Sequence, residues 1–418
     1  MAPASARSTN RPPLPSAAID RSPEAARRNP IQALIVGGGI GGLAAALALQ
    51  RIGASVRVFE KGPAVAEVGA GLSLWSSAML ALRRLGLESA ALSHGSVIER
   101  VRSAKSSGAV LAVEDFAALG ERAGAPSICI HRGELQRLLF EAVSAGMTSK
   151  VETGRECVGY AEAASAVTAI FSDGSREEGD LLIGADGIHS TVRNSLFGQE
   201  APRFAGYFAW RGIAHGVASR LPEREALTVL APGAQAGAFH CGADSVYWFL
   251  TRNASRGSQP DLRDDRTGIL RQIGDWRVDF RSFVEATATD AILRNDVMDR
   301  PPRRVWGRGR VTLLGDAIHA TTPDLGQGAC QALEDAVVLA DAISHGATIE
   351  TGLLAYQDRR RARANYVVSE SRRMGNLLQT VNPIAVWLRD AVGSTVIGRK
   401  ISDRLFARLL CVELPNLG

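Results

Sequence analysis

Leu314-Gly315-Asp316-Ala317-Ile318-His319-Ala320-Thr321-Thr322-Pro323-Asp324-Leu325-Gly326-Gln327-Gly328 closes an apolar run that begins at Val311. Such a run ending in Gly-Asp reads as a buried strand that delivers a carboxylate to its C-terminal edge. A Pro-containing loop comes next, then glycines, then a helical pattern (Ala329, Leu333, Val337, Ala340) opening at Gly326 or Gly328. In α/β sheets, ligands sit beyond the carboxyl ends of strands and at helix N-termini. Strand, acid and helix start therefore point into one crevice, suited to a polyol joined to an electron-rich ring.

Two earlier stretches have the same grammar. Ala33-Leu34-Ile35-Val36 is a short apolar strand, Gly37-Gly38-Gly39-Ile40-Gly41-Gly42 fills a G-x-G-x-x-G frame, and Leu43 to Ile52 continues as an Ala/Leu helix. Glycines there permit a tight turn, close approach to a pyrophosphate and close helix–strand packing, with the phosphates at a helix N-terminus. A second strand, Val56-Arg57-Val58-Phe59, ends in Glu60 and Lys61. Glu60 falls about 20 residues downstream, where an acid accepts ribose hydroxyls. A lone Gly frame is weak evidence; strand, helix and terminal acid in register make a dinucleotide site. The third stretch, Asp180-Leu181-Leu182-Ile183-Gly184-Ala185-Asp186-Gly187-Ile188-His189-Ser190, is again strand, turn and helix start, with Arg193 following.

In this order and at these separations the three stretches resemble the single-component FAD-dependent aromatic hydroxylases, or class A flavoprotein monooxygenases, of the para-hydroxybenzoate hydroxylase-like superfamily. The resemblance spans about residues 31 to 375 and is closest to the salicylate and urate hydroxylase and zeaxanthin epoxidase branch. It implies that Gly37, Gly39, Gly42, Glu60 and Lys61 hold the ADP half of FAD. Asp186 and Gly187 would serve FAD and NAD(P)H together. Asp316 would bind the ribityl chain, while Pro323, Gly326 and Gly328 flank the isoalloxazine. Ile130-His131-Arg132-Gly133-Glu134-Leu135 opens a helix whose Arg contacts FAD in relatives, a role that Arg132 inherits. Gly69-Ala70-Gly71-Leu72-Ser73 matches the loop that passes close to the flavin, which adds Gly71 to the cofactor-binding residues; where relatives often carry Asn, this chain has Ser77.

The implied fold is α/β: a Rossmann-type FAD-binding domain with an inserted antiparallel-sheet substrate domain and C-terminal helices. The expected organisation is a disordered leader (1–30, rich in Pro, Ala, Ser and Arg), a discontinuous FAD-binding domain (31–200 and 296–375), a substrate sheet (201–295, with one strand from about 98–125) and a C-terminal helix (376–418). At 418 residues, with 46% hydrophobic and 22% charged residues, the chain can hold two sizeable cores. The formal charge of +5 is mild, and no basic patch interleaved with aromatics occurs, so no nucleic-acid partner is expected. Cys129, Cys157, Cys241, Cys330 and Cys411 lack metal-like spacing, and no H-E-x-x-H occurs; no metal site is expected. Free thiols fit a reducing cytoplasm. Ile31 to Gln50 is uncharged, but its central glycines speak against a transmembrane helix.

Between about 201 and 295 short alternating strands appear, including Tyr207 to Ile213, Ala236 to Cys241 and Val246 to Leu250. Period-2 alternation puts Trp210 opposite to Arg211, and Phe239 opposite to His240, without saying which of each pair faces the substrate. Arg211 and His240 are the candidate catalytic residues. Relatives acting on anionic purines carry an Arg near the position of Gln235, so a urate-like anion is not expected. Ala236, Ala238, Phe239, Trp248 and Phe249 suit a larger, less charged ring. Arg359, Arg360, Arg361 and Arg363 read as a solvated face. Residues 383–412 are amphipathic, with core packing or a subunit contact expected ahead of membrane binding.

No second G-x-G-x-x-G occurs, so NADH or NADPH must visit the same flavin transiently. The resemblance then implies insertion of one atom of O2 into an aromatic or N-heteroaromatic, lipophilic substrate through a flavin hydroperoxide, by a monomer or homodimer. The alternative is an epoxidase or an FAD-dependent reductase acting on an isoprenoid double bond. A flavin-dependent halogenase would need a catalytic Lys and a Trp-x-Trp-x-Ile-Pro motif, which is absent. A non-enzymatic FAD scaffold would not require all three motifs.

Overall fold

Strand Gln32–Val36, buried at four of its five positions, forms the centre of a mixed six-stranded sheet. This computed structural model describes residues 30–65, 69–146, 149–256 and 265–417. Apart from Pro30, the expected leader lies outside the described residues. Ser55–Phe59 pairs in parallel with the central strand on one side and Leu181–Gly184 on the other, and Val311–Leu313 lies beyond Leu181–Gly184. The three strands that end in the sequence motifs are therefore neighbours and parallel, so their turns open at one edge of the sheet. Helix Ile40–Arg51 is buried from Gly42 to Leu49 because the sheet covers one side and helix Gly328–His345 another. Its run of alanines permits that close double contact.

A second sheet of seven strands runs in the order Leu293–Asp299, Arg203–His215, Ser245–Asn253, Ala234–His240, Glu225–Ala231, Arg100–Lys105 and Val110–Asp115. The segment near 98–125 thus adds two strands rather than one, with Gly108 (φ +89°) in the turn between them. The sheet also extends past residue 295 through Leu293–Asp299. Alternation divides its two faces. Phe208, Trp210, Trp248 and Leu250 pack behind it with Phe280 and Phe283, and Trp248 Nε1 donates to Thr287 Oγ1 at 2.8 Å.

After the 30-residue helix Ile349–Leu378, the expected single C-terminal helix is two: Pro383–Gly393 and Val396–Leu410. Each starts on its own cap. Asn382 Oδ1 accepts the N–H of Ile384 and Ala385, and Thr395 Oγ1 accepts that of Gly398, so Gly393-Ser394-Thr395 interrupts the pattern. Most of the large apolar residues of this pair face outward, which corrects the expectation of core packing: Ile384, Trp387 and Ile397 are exposed. No described helix is long and apolar enough to cross a membrane.

Candidate active site

Three turns at one sheet edge enclose a cleft of about 280 Å³ lined by Gly37, Gly39, Glu60, Lys61, Arg132, Asp186, Gly187 and Asp316. Gly37 has φ +111°, and a Cβ on it would fall 2.4 Å from the Ala185 carbonyl oxygen. Gly42 is not in the lining; its place is behind the turn, where a Cβ would sit 1.9 Å from the Gly37 carbonyl oxygen. Glu60 accepts the N–H of Gly38 at 2.8 Å and that of Gly62 at 2.8 Å, so the acid also braces the glycine turn. Each of its oxygens keeps acceptor capacity for a hydroxyl.

Asp186 has a more structural part than its resemblance implied. Its Oδ2 accepts from Thr191 N at 2.7 Å, at the first turn of the helix Thr191–Phe197 that Ser190 caps, while Oδ1 is buried with no partner. Burial pushes its pKa upward. Asp316 is the reverse case: it is exposed between buried Gly315 and Ala317, its carboxylate at the N-terminus of the short helix Asp316–His319.

A second cavity of about 940 Å³ joins the first, sharing Ile40, Arg132, Asp316, Gly328 and Ala329 with it. Its walls include Gly71, Pro323 and Gly326 from the two loops, and Arg211, Gln235, Phe239, Tyr247 and Phe249 from the large sheet. Phe239, Tyr247 and Phe249 form an aromatic floor with ring centroids 6.1–6.4 Å apart. Gly71 lies against that floor, where a Cβ would meet the Tyr247 side chain at 2.4 Å. Of the alternating pairs, Arg211 and Phe239 face the cavity and Trp210 and His240 do not. His240 Nε2 instead lies 3.1 Å from the Leu221 carbonyl oxygen and 3.0 Å from that of Pro222, which removes it from the candidate catalytic residues. Ala236, Ala238 and Trp248 likewise belong to the back face, so only Phe239 and Phe249 of the expected ring-binding set touch the cavity.

Several site residues went unnoticed in the sequence. Trp75 Nε1 donates to the Leu325 carbonyl at 2.9 Å and fills the space where Gly326 (φ +61°) has no side chain. Tyr207 donates to Asp324 Oδ2 at 2.5 Å, tying the large sheet to the Pro-x-x-Gly loop, and burial raises the pKa of both groups. Beneath the Gly-Asp turn, Asp335 Oδ2 accepts from Gly315 N at 3.0 Å and from His319 Nε2 at 2.5 Å, and Asp335 Oδ1 accepts from Arg360 at 2.7 Å. Glu334 Oε2 accepts from Arg360 and from Arg363, each at 2.7 Å. Arg360 is therefore buried in an ionic network, which corrects its reading as part of a solvated face. Arg359 and Arg361 remain at the surface, paired with Asp341 and Asp358.

A Gly cradle with no room for side chains, an acid at its rim, an unpartnered buried carboxylate oxygen and an acid facing the junction of two cavities together fit FAD. Glu60 and Lys61 would hold the adenosine end, Asp316 the ribityl chain, and Arg132 with Gly71, Pro323, Gly326 and Gly328 the ring. Asp316→Ala is expected to weaken FAD binding by about 10- to 150-fold, the loss of a hydrogen bond to a charged group at roughly 1.5–3 kcal/mol. Fluorescence titration of the apoprotein with FAD measures this; unchanged affinity would remove Asp316 from the site.

Among proteins of known sequence and structure, a family profile described as FAD binding domain matches residues 30–371. The aurachin C monooxygenase/isomerase of Stigmatella aurantiaca is 38% identical over 375 residues, covering 90% of this chain and 96% of its own length. The chloroplastic zeaxanthin epoxidase of Solanum lycopersicum is 33% identical over 321 residues, 74% of this chain and 47% of its own. Klebsiella pneumoniae HpxO, solved with FAD and uric acid, is similar with a TM-score of 0.85 at 29% identity, covering 91% of this chain and 97% of that one.

Proposed function

The chain belongs to the FAD-binding-domain family and is an FAD-dependent monooxygenase, and from that premise we propose that it oxygenates an aromatic or N-heteroaromatic ring carrying a lipophilic part, with NADH or NADPH as transient reductant, as a cytoplasmic monomer or homodimer. The observation that carries this reading is the second cavity. It is large, it has an aromatic floor, and it meets the cofactor cleft at Asp316 and Gly328. FAD, when bound, carries two electrons from the nicotinamide to O2, one atom of which goes to the ring and the other to water.

The chain's own part is placement. Phe239, Tyr247 and Phe249 offer π-faces to a ring and exclude water from it. Arg211 sets a guanidinium beside that floor, near the Tyr247 hydroxyl. A cation there favours a ring bearing a hydroxyl or oxo group, since negative charge on that oxygen makes the ring carbons electron-rich. The remaining wall, with Val101, Leu230, Met374, Leu377 and Leu405, suits an apolar substituent.

Substrate-dependent oxidation of NAD(P)H with O2 uptake tests this across phenols, hydroxylated or oxo N-heterocycles with and without alkyl chains, urate, benzoates and polyenes. The expected result is stimulation by the alkylated ring compounds. A preference for urate or benzoate defeats the lipophilic reading, and a preference for polyenes assigns an isoprenoid double bond instead. Arg211→Ala is expected to raise KM for substrates with an acidic ring hydroxyl by about 10- to 150-fold with flavin content retained. An unchanged KM would leave Arg211 without a substrate contact.

A further inference from the structure

The far end of the substrate cavity is the C-terminal helix pair, and it opens outward. Leu388, Val392 and Ile401 line the cavity and are also 48%, 46% and 54% exposed at the surface. Around this mouth the same helices present Ile384, Trp387 and Ile397, at 71%, 67% and 69% exposure. Ile384, Trp387, Leu388 and Val392 follow the three- and four-residue spacing that makes one helical stripe, and Ile397 and Ile401 make the next. Side chains this large and this exposed, grouped on one face, mark an interaction surface.

Charge shows what covers it. Helix Val396–Leu410 carries Arg399, Lys400, Arg404 and Arg408, all exposed, against the single acid Asp403. Lys400, Arg404 and Arg408 recur every four residues and so form a row beside Ile397 and Ile401. Among the described residues, Arg399, Lys400 and Arg404 make no ion pair. An apolar stripe bordered by unpaired cations, with an exposed Trp, is the arrangement of a helix lying in the interface of an anionic bilayer. A second copy of the chain fits less well. A two-fold contact matches a patch with itself and would set these cations against one another while sealing the cavity mouth.

We propose that the helix pair 383–410 docks on an anionic lipid surface and that the substrate passes from the bilayer into the cavity between Leu388, Val392 and Ile401. The passage rests on the lipophilic-substrate reading above; the docking does not.

Full-length holoenzyme is sedimented with phosphatidylcholine vesicles made with or without phosphatidylglycerol. Binding to the anionic vesicles is expected, weakened by salt and accompanied by a blue shift in tryptophan emission, because Trp387 is exposed whereas Trp75, Trp210, Trp248 and Trp306 are buried. Trp387→Glu and Ile397→Glu should each weaken binding roughly tenfold or more, the loss of one inserted large apolar side chain. Lys400→Glu with Arg404→Glu should abolish the preference for phosphatidylglycerol. All of these side chains lie outside the cavity lining, so flavin content and turnover of a water-soluble ring substrate are expected to persist.

Absence of vesicle binding overturns the docking. A dimer in sedimentation velocity that Ile397→Glu dissociates, without vesicle binding, assigns the face to a second copy instead. Vesicle binding by the parent, with equal turnover by parent and Trp387→Glu of a substrate dissolved in vesicles, overturns the passage alone. A preference for small anions in the substrate panel defeats the lipophilic reading and leaves the vesicle result standing.

Discussion

Arg360→Met is expected to destabilise the protein by about 3–5 kcal/mol, because it leaves Glu334 and Asp335 buried without their shared cation. Both acids are fully enclosed between helices Gly328–His345 and Ile349–Leu378. Burial alone would raise the pKa of Asp335; His319 and Arg360 outweigh it and hold the carboxyl down at about 2. Glu334 is lowered in the same way by Arg360 and Arg363. A carboxylate whose pKa is lower folded than unfolded contributes stability above its unfolded value, near pH 4. That contribution fades as pH falls toward about 2. Without Arg360 the folded pKa values rise toward or past the unfolded ones, so the variant's deficit should be largest near pH 7 and should narrow as acid protonates the buried pair. Urea titrations at pH 7 and at pH 5 measure both effects. A variant within about 1 kcal/mol of the parent at both would show the network to be dispensable, as an exposed pair would be. Because Asp335 also holds Gly315 N, weaker flavin retention should accompany the loss.

The same network shows where sequence reading stops. Gly-rich turns, terminal acids and the Gly-Asp loop are local in the chain, each needing one strand and one helix start, and all of them fall at one sheet edge as their spacing implied. Arg360 could not be read that way. Its partners are 25 and 26 residues away on another helix, and four arginines within five positions look solvated until the second helix is placed against them. His240 failed for a different reason. Alternation defines two faces of a strand but not which is inside, and the inner face at Ala234–His240 belongs to Gln235 and Phe239. The C-terminal segment gave an amphipathic period correctly, yet the period cannot say whether the apolar stripe meets protein or something outside it. Here Leu405 and Phe406 turn toward the cavity, and Ile384, Trp387 and Ile397 turn away.

Gly42→Ala should abolish stable FAD binding, with affinity lower by about 100-fold or more, as expected of overpacking that displaces backbone by 1–3 kcal/mol or beyond. The added methyl would lie 1.9 Å from the Gly37 carbonyl oxygen, 3.1 Å from its carbon and 3.4 Å from Ala185 Cβ. No rotamer relieves a Cβ clash, and the first obstacle is main chain. Helix Ile40–Arg51 cannot retreat either, since Gly42 through Leu49 are buried between the sheet and helix Gly328–His345. The turn itself must therefore move, and with it the N–H groups that meet the pyrophosphate at the helix N-terminus. Gly53→Ala supplies the contrast. Gly53 follows the same helix at φ +82°, but a Cβ there meets nothing within 4 Å. It should cost only the left-handed strain, about 1–2 kcal/mol, and keep its flavin. Flavin absorbance per chain after gel filtration and the thermal midpoint separate the two variants. If Gly42→Ala retains a full complement of FAD while Gly53→Ala loses it, backbone conformation rather than close helix–strand packing shapes the cofactor turn.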